Sequence, residues 1–523
     1  MIAYFDTTLR DGTQGEGLSL SAEDKVRIAQ RLDALGIRYI EGGWPGSNPK
    51  DMAFFDRAKG LSFRQARIVA FGSTCRWGNT PESDPNIRAL IQAETPAVSI
   101  FGKTWLLHVD RALGITPAQN LELIRTSVAY LKAHGKEVVY DAEHFFDGYK
   151  DDPDYAMQTL HAARDAGADW LVLCDTNGGT LPHEVSAMVA AVAADVRHPL
   201  GIHAHNDSEC AVANSIAAVQ AGCTQVQGTI NGYGERCGNA NLCSVIPNLQ
   251  LKLGFEGIPT DAVAELTSVS HFVSEIGNLA HQANLPYVGR SAFAHKGGIH
   301  VSAVMRDPVT YEHIRPEQVG NDRRVLVSDL SGRSNIRYKA DELHLDAETH
   351  ERHIPEIVDS LKQREHDGYS YEAAEASLEL LIRRITGQTD RTFALKGFRL
   401  LIEKSEHQAI RSEATIRLDV DGMTEHTAAE ATGPVHALDQ ALRKALCRFY
   451  PDIADVRLSD YKVRVLNEKD GTRACVRVLI DSTDGDRHWG TVGVSENIIE
   501  ASWQALTDSV SWYLIHSKPV EQP

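Results

Sequence analysis

Residues 201–215 read GIHAHNDSECAVANS. An apolar run ends here, and His203, His205, Asn206 and Asp207 crowd into five positions at its mouth. The run is one of eight in the first 250 or so residues. The others are IAYFDTT (2–8), YIEGGWP (39–45), RIVAFGST (67–74), AVSIFGK (97–103), EVVYDAEHF (137–145), WLVLCDTNG (170–178) and QVQGTINGYG (225–234). Between them lie stretches with Ala, Leu and Ile at helical spacing, such as SAEDKVRIAQRLDALG (21–36), closed by glycine as helix ends are. Continuous apolar runs alternating with helices predict parallel strands buried on both faces. Eight such units predict a (β/α)8 TIM barrel, with an open doubly wound sheet as the alternative. A barrel brings all strand ends to one face, where active sites lie. The run ends are Asp6, Glu41, Ser73, Lys103, Glu143, Asp175 with Thr176, His203 with His205, and Thr229 with Asn231.

The chain has 523 residues, more than one barrel needs. Past the barrel the pattern becomes mostly helical and polar, around a Gly- and His-rich stretch, SAFAHKGGIHVSAVMRDPVTYEHI (291–314). From about Phe393 strict alternation takes over: Ala414, Ile416, Leu418 and Val420 share a strand face, as do Ala474, Val476, Val478 and Ile480 in TRACVRVLIDS (472–482). Gly433, Leu438, Ala441, Ala445 and Leu446 match Gly493, Ile498, Ala501, Ala505 and Leu506 at an offset of 60. The expected order is therefore a barrel over 1–270, a helical connector over 271–388, and a pseudo-repeated α+β domain over 389–517.

Composition excludes several classes. Lys+Arg 53 against Asp+Glu 71 gives −18, which argues against nucleic-acid partners. No run of about 18 apolar residues exists to cross a membrane. There is no basic segment followed by an apolar one at the N-terminus, so a cytoplasmic location is expected. The eight cysteines are scattered without a C-x-x-C, as reduced thiols would be.

Two imidazoles at i and i+2 of a strand point to one side and can hold one divalent cation. Asp11, just beyond the first strand and beside Arg10, can approach the pair, because strands one and eight close the barrel and strand seven is next. One carboxylate and two imidazoles leave open positions on Mg²⁺, Mn²⁺, Co²⁺ or Zn²⁺, as Lewis-acid catalysis requires. The glycines 232, 234 and 238 in NGYGERCGNANL (231–242) allow backbone to approach a ligand closely. Asn239 there could add an oxygen ligand.

DTTLRDGTQ (6–14), HAHND (203–207) and NGYGERCGNANL resemble the acetyl-CoA-dependent 2-oxoacid condensing family, which includes 2-isopropylmalate, homocitrate and citramalate synthases. The resemblance covers nearly the whole chain. GTQGEGLSLS, EGGWPGSNPKD and DAEHFFDGY are most similar to its citramalate-forming branch, and Thr13, Gly15 and Glu16 depart from the D-G-E-Q-x-P-G usual in isopropylmalate synthases. The resemblance implies metal ligands at Asp11, His203, His205 and Asn239. It implies substrate contacts at Arg10 and Thr176, a carboxylate at Glu143, and a catalytic histidine at His300 accompanied by Tyr311; His295 competes with His300. It also implies acetyl-CoA and a small 2-oxoacid as substrates, a homodimer whose connector reaches the partner's barrel, and a regulatory tail with isoleucine as effector. A larger 2-oxoacid, an acyl-CoA lyase and a non-catalytic sensor are the competing readings.

Overall fold

The computed structural model describes residues 1–328, 333–342, 347–388, 393–406, 409–420, 422–466 and 474–517. The expected domain start at 389, and Thr472 and Arg473 of the quoted strand, lie outside the described residues. The chain forms two compact units, Met1–Phe293 with Ile314–Arg323, and Ala294–His313 with Arg324–Pro523.

The first unit is a closed barrel of eight parallel strands in sequential order. They are β1 (Ala3–Asp6), β2 (Tyr39–Gly43), β3 (Arg67–Ser73), β4 (Ala97–Lys103), β5 (Glu137–Glu143), β6 (Trp170–Asp175), β7 (Leu200–Ala204) and β8 (Gln225–Gly228). Each falls within or next to one of the eight apolar runs. Helices between them pack an outer apolar layer. The first, α1 (Ala22–Leu35), starts on a reciprocal cap between Ser21 and Asp24 and stops at Gly36, whose φ of 98° ends the helix. It buries Ile28, Leu32 and Leu35 almost completely, each contributing about 1.5–3 kcal/mol. An added Cβ at Gly36 would lie 2.5 Å from Pro259, so alanine there breaks the turn.

Inside the barrel, Phe5, Tyr39, Val69, Val139 and Val172 fill a layer of their own. Period-two alternation then places polar residues above that layer. Glu41, Ser99, Asp141, His203 and Gln227 are all buried.

The second unit holds helices Gly298–Arg306, Arg333–Glu342, Ala347–His366 and Glu375–Ile385, then two similar halves. Strands Ala394–Glu403, Arg411–Val420 and Met423–Ala431 pair antiparallel, and helix Pro434–Leu446 follows. Strands Arg457–Val465, Val476–Thr483 and His488–Ser495 pair likewise, and helix Ile498–Ser517 follows. Ala414, Ile416, Leu418 and Val420 are fully buried, as the alternation required. The repeat is real, but its register differs from the expected 60. The helices begin at Pro434 and Ile498, 64 apart, so Ala437 and Ala441 correspond to Ala501 and Ala505. Among the described residues no helix is long and apolar enough to cross a membrane.

Candidate active site at the barrel mouth

Of the four polar residues that crowd the end of β7, two serve the scaffold. Asn206 Oδ1 accepts the backbone N–H of Ala211 at 3.2 Å, steadying the start of the next helix. Asp207 takes a fork from Arg236 at 2.8 and 3.0 Å, and the same guanidinium reaches Thr176 O at 2.9 Å. The two histidines face the other way. His203 Nε2 lies 3.3 Å from His205 Nε2 and 3.2 Å from Asp11 Oδ2. The ligand atoms of Asp11, His203 and His205 all lie within 4.8 Å of one another, and all three residues are buried.

This donor set fits a divalent cation. Asp11 Oδ2 makes no hydrogen bond, and neither does Asn239 Oδ1, although both atoms are buried. Unmet buried lone pairs cost free energy that a bound cation would recover. Burial pushes the Asp11 carboxyl up, but Arg10 and His203 outweigh it and hold it well below the usual range. Burial lowers His203, and the Asp11 carboxylate more than reverses this. Burial, with His203 adding, pushes His205 down to about 4, so its ring is neutral and free to ligate at pH 7.

Arg10 is clamped from three sides. Its Nε donates to Glu41 Oε2 at 2.6 Å, its Nη1 is 3.3 Å from Asp11 Oδ1, and its guanidinium carbon sits 3.7 Å from the centre of the Phe71 ring. Phe71 stacks on Phe101 at 5.6 Å, and Trp44 meets both edge-on at 5.4 and 5.7 Å. Trp44 is itself fixed by hydrogen bonds from its backbone N–H to Asp51 and from its indole N–H to Asn86. The result is one apolar wall facing one charged wall.

Between them lies a cavity of about 250 Å³ whose lining includes Arg10, Asp11, Glu143, Thr176, His203 and His205. Six of the nine expected site residues therefore converge, from four strand ends. Glu143 pairs with Lys103 across the register-matched ends of β4 and β5. Thr176 Oγ1 accepts the His144 backbone N–H at 2.8 Å, so its own proton is free for a ligand oxygen. Asn239 lines a neighbouring cleft of about 760 Å³, and its backbone bridges to His205.

His300 and Tyr311 belong to the second unit, where their rings lie 4.3 Å apart and both are exposed. His295 is instead tied to Glu312 at 3.1 Å. The glycines of the turn after β8 line that neighbouring cleft, and they also let the chain approach itself closely. A Cβ at Gly238 would lie 2.0 Å from Gly232 O, and one at Gly234 would lie 2.2 Å from Asn239 Nδ2. Asp6 and Asp175, also at strand ends, are spent on Thr8 and Thr180. Ser99, Asp141 and Gln227 were not singled out in advance; their only signal is a polar residue at an inward position of an apolar run.

The HMGL-like family model matches residues 1–273, over half of the chain. The chain belongs to the HMGL-like family. Behind its HMGL-like barrel, residues 287–368 match a homocitrate synthase post-HMGL domain-like model, and residues 372–514 match the LeuA allosteric (dimerisation) domain. Among HMGL-like relatives, an (R)-citramalate synthase of Geobacter sulfurreducens is 58% identical over 522 residues, covering 100% of this chain and 99% of that one. Another (R)-citramalate synthase, of Aquifex aeolicus, is 56% identical over 516 residues, covering 98% of each. A 2-isopropylmalate synthase of Methanocaldococcus jannaschii is 30% identical over 513 residues, covering 98% and 94%.

Proposed function

We propose that this chain condenses acetyl-CoA with pyruvate and hydrolyses the thioester, releasing citramalate and CoA for isoleucine synthesis in the cytoplasm. It acts as an acyltransferase that turns the acyl group into an alkyl group. The observation that carries the reading is the convergence of Asp11, His203, His205, Arg10 and Thr176 on one small cavity. The choice of acceptor is supported by the relatives above 50% identity, which are named for citramalate.

The reaction must make a ketone electrophilic and remove a proton from a thioester methyl group. Asp11, His203 and His205, with Asn239 as a further oxygen ligand, would hold a divalent cation, which would supply Lewis-acid polarisation of the ketone. Arg10 adds fixed positive charge where negative charge grows on the ketone oxygen. Its Nε and Nη1 are committed to Glu41 and Asp11, which leaves Nη2 for the substrate. Thr176 donates its hydroxyl proton to the acceptor carboxylate. The Trp44, Phe71 and Phe101 wall faces the acceptor's methyl group. His300, steadied against Tyr311, takes the methyl proton of acetyl-CoA. The methyl carbon then bonds to the ketone carbon, the ketone oxygen is protonated, and water displaces the CoA thiol. Glu143, ion-paired with Lys103, lines the rim of the same cavity.

The same reading takes residues 1–270 as the catalytic barrel, 271–388 as the connector and 389–517 as a regulatory domain. The active form is a homodimer, and isoleucine is the inhibitor bound at the C-terminal domain. Purified enzyme with Mn²⁺ or Co²⁺, acetyl-CoA and a panel of 2-oxoacids tests the assignment by free-thiol release. Pyruvate should be the preferred acceptor and citramalate the product. Preference for a branched 2-oxoacid, or no thiol release with any acceptor, would overturn it.

A further inference from the structure

A metal-binding imidazole must present a nitrogen without a proton. The structure holds a device that dictates which nitrogen of His203 that is. His203 and Gln227 are direct register partners on β7 and β8. His203 Nδ1 lies 2.9 Å from Gln227 Oε1, and Gln227 Nε2 donates to Asp141 Oδ1 at 3.0 Å. Ser99 Oγ donates to Asp141 Oδ2 at 2.6 Å. Ser99 and Gln227 are fully buried, and Asp141 and His203 are under 10% exposed.

We propose that Asp141 sets the ring tautomer of His203 through the side-chain amide of Gln227, so that Nε2 is the bare nitrogen offered to a divalent cation. Each step follows from donor and acceptor capacity. A carboxylate only accepts, so the amide NH₂ of Gln227 must face Asp141. The amide carbonyl then faces His203, and a carbonyl also only accepts, so Nδ1 must carry the ring proton. The lone pair is left on Nε2, the atom that faces Asp11 and His205. Histidine ligands commonly donate their second N–H straight to a carboxylate or carbonyl. Here an amide is inserted, and the carboxylate that gives it direction stands one residue further away, on β5. Asp141 and Gln227 are thus positioning residues. The inference rests on the metal reading of Asp11, His203 and His205.

The test uses full-length, metal-free enzyme with Co²⁺ as the probe and no substrate. Competition against a chelator gives the affinity, and ¹⁵N NMR of histidine-labelled protein gives the ring tautomer. At a pH high enough to leave the ring neutral, the parent should show the Nδ1–H form of His203. D141N presents an amide that can donate or accept, so Gln227 loses its direction and Co²⁺ should bind about 10- to 100-fold more weakly. The double variant D141N/Q227E restores direction, because the carboxylate introduced at 227 accepts both from the new amide and from Nδ1–H. It should recover Co²⁺ affinity close to the parent's, a rescue that a merely structural role would not produce. Binding by D141N as tight as the parent's overturns the relay, and so does a double variant no better than D141N. An Nε2–H form in the parent overturns it whichever variants fold. A parent that binds no Co²⁺ sinks the metal reading instead, and the tautomer still decides the relay.

Discussion

Replacing Arg10 by lysine keeps the charge and removes the fork. The arginine meets Glu41 at 2.6 Å, Asp11 at 3.3 Å and the Phe71 ring at 3.7 Å at the same time. An ammonium on a flexible stem is a point charge and cannot serve all three. Paired with Glu41, it withdraws positive charge from the cavity. Loss of one such preorganised donor costs about 10²–10³ in kcat, or roughly 2.7–4 kcal/mol. Turned toward the cavity instead, it abandons Glu41, which is fully buried. A hydrogen bond to a charged group, worth about 1.5–3 kcal/mol, is then lost. Burial has already pushed the Glu41 carboxyl up to about 7 against the pull of Arg10, so without that pull the side chain takes up a proton. R10K should therefore lose about 10²–10³ in kcat/KM for pyruvate if lysine stays with Glu41, and should melt at lower temperature if it does not. Thiol release under Co²⁺ saturation and a thermal melt measure both. An R10K enzyme that loses less than about tenfold, equivalent to about 1.4 kcal/mol, and melts with the parent would refute the three-sided clamp.

Removal of divalent ions with EDTA should abolish turnover, and Mn²⁺ or Co²⁺ should restore it. The ion at about 100 times its Kd should stabilise the folded barrel by about 2.7 kcal/mol, and H203A should abolish both effects; undiminished turnover after chelation contradicts the site. Glu41 titrates at about 7 in the folded protein, against 4.5 ordinarily, because burial dominates. Its contribution is fully present below about pH 4.5 and is lost as pH rises through 7, in all about 3 kcal/mol. In metal-free protein the melting temperature of the parent should thus fall relative to E41Q between about pH 5 and pH 8, and a pH-independent difference refutes the shift. Gly238 has φ of 89°, so G238A adds a backbone cost of about 1–3 kcal/mol to the clash with Gly232 O. Its turn must shift and carry Asn239 with it; G238A with parental activity and Co²⁺ affinity would show that the turn does not position the site.

The barrel was legible because a parallel strand covered on both faces has no polar side to interrupt its apolar run. The cluster of Asp11, His203 and His205 was legible because period two forces His203 and His205 to one side, and barrel closure brings β1 next to β8. Glu41, Asp141 and Gln227 were harder to weigh for the same reason. A single inward polar residue in an apolar run has no local partner to explain it. The bond from Gln227 to Asp141 spans 86 positions, and that from Arg10 to Glu41 spans 31. Their roles exist only once the strands are wrapped into a ring.

The slipped repeat shows a complementary limit. A helix repeats its buried face every 3.6 residues, so a copy displaced by four still sets apolar against apolar. Ala441, Ala445 and Leu446 are as buried as Ala501, Ala505 and Leu506, and the offset of 60 therefore aligned these positions well. It failed at Ile498, which is 43% exposed, whereas its supposed counterpart Leu438 is fully buried. Gly433 caps its helix, but Gly493 lies within a strand and is pressed so close to Ala501 O that a Cβ would meet it at 2.0 Å. Apolar periodicity alone identifies the face of a helix and leaves its starting turn open. Strand starts and helix starts resolve that choice: corresponding strands begin 63 to 65 residues apart, and the two helices 64 apart.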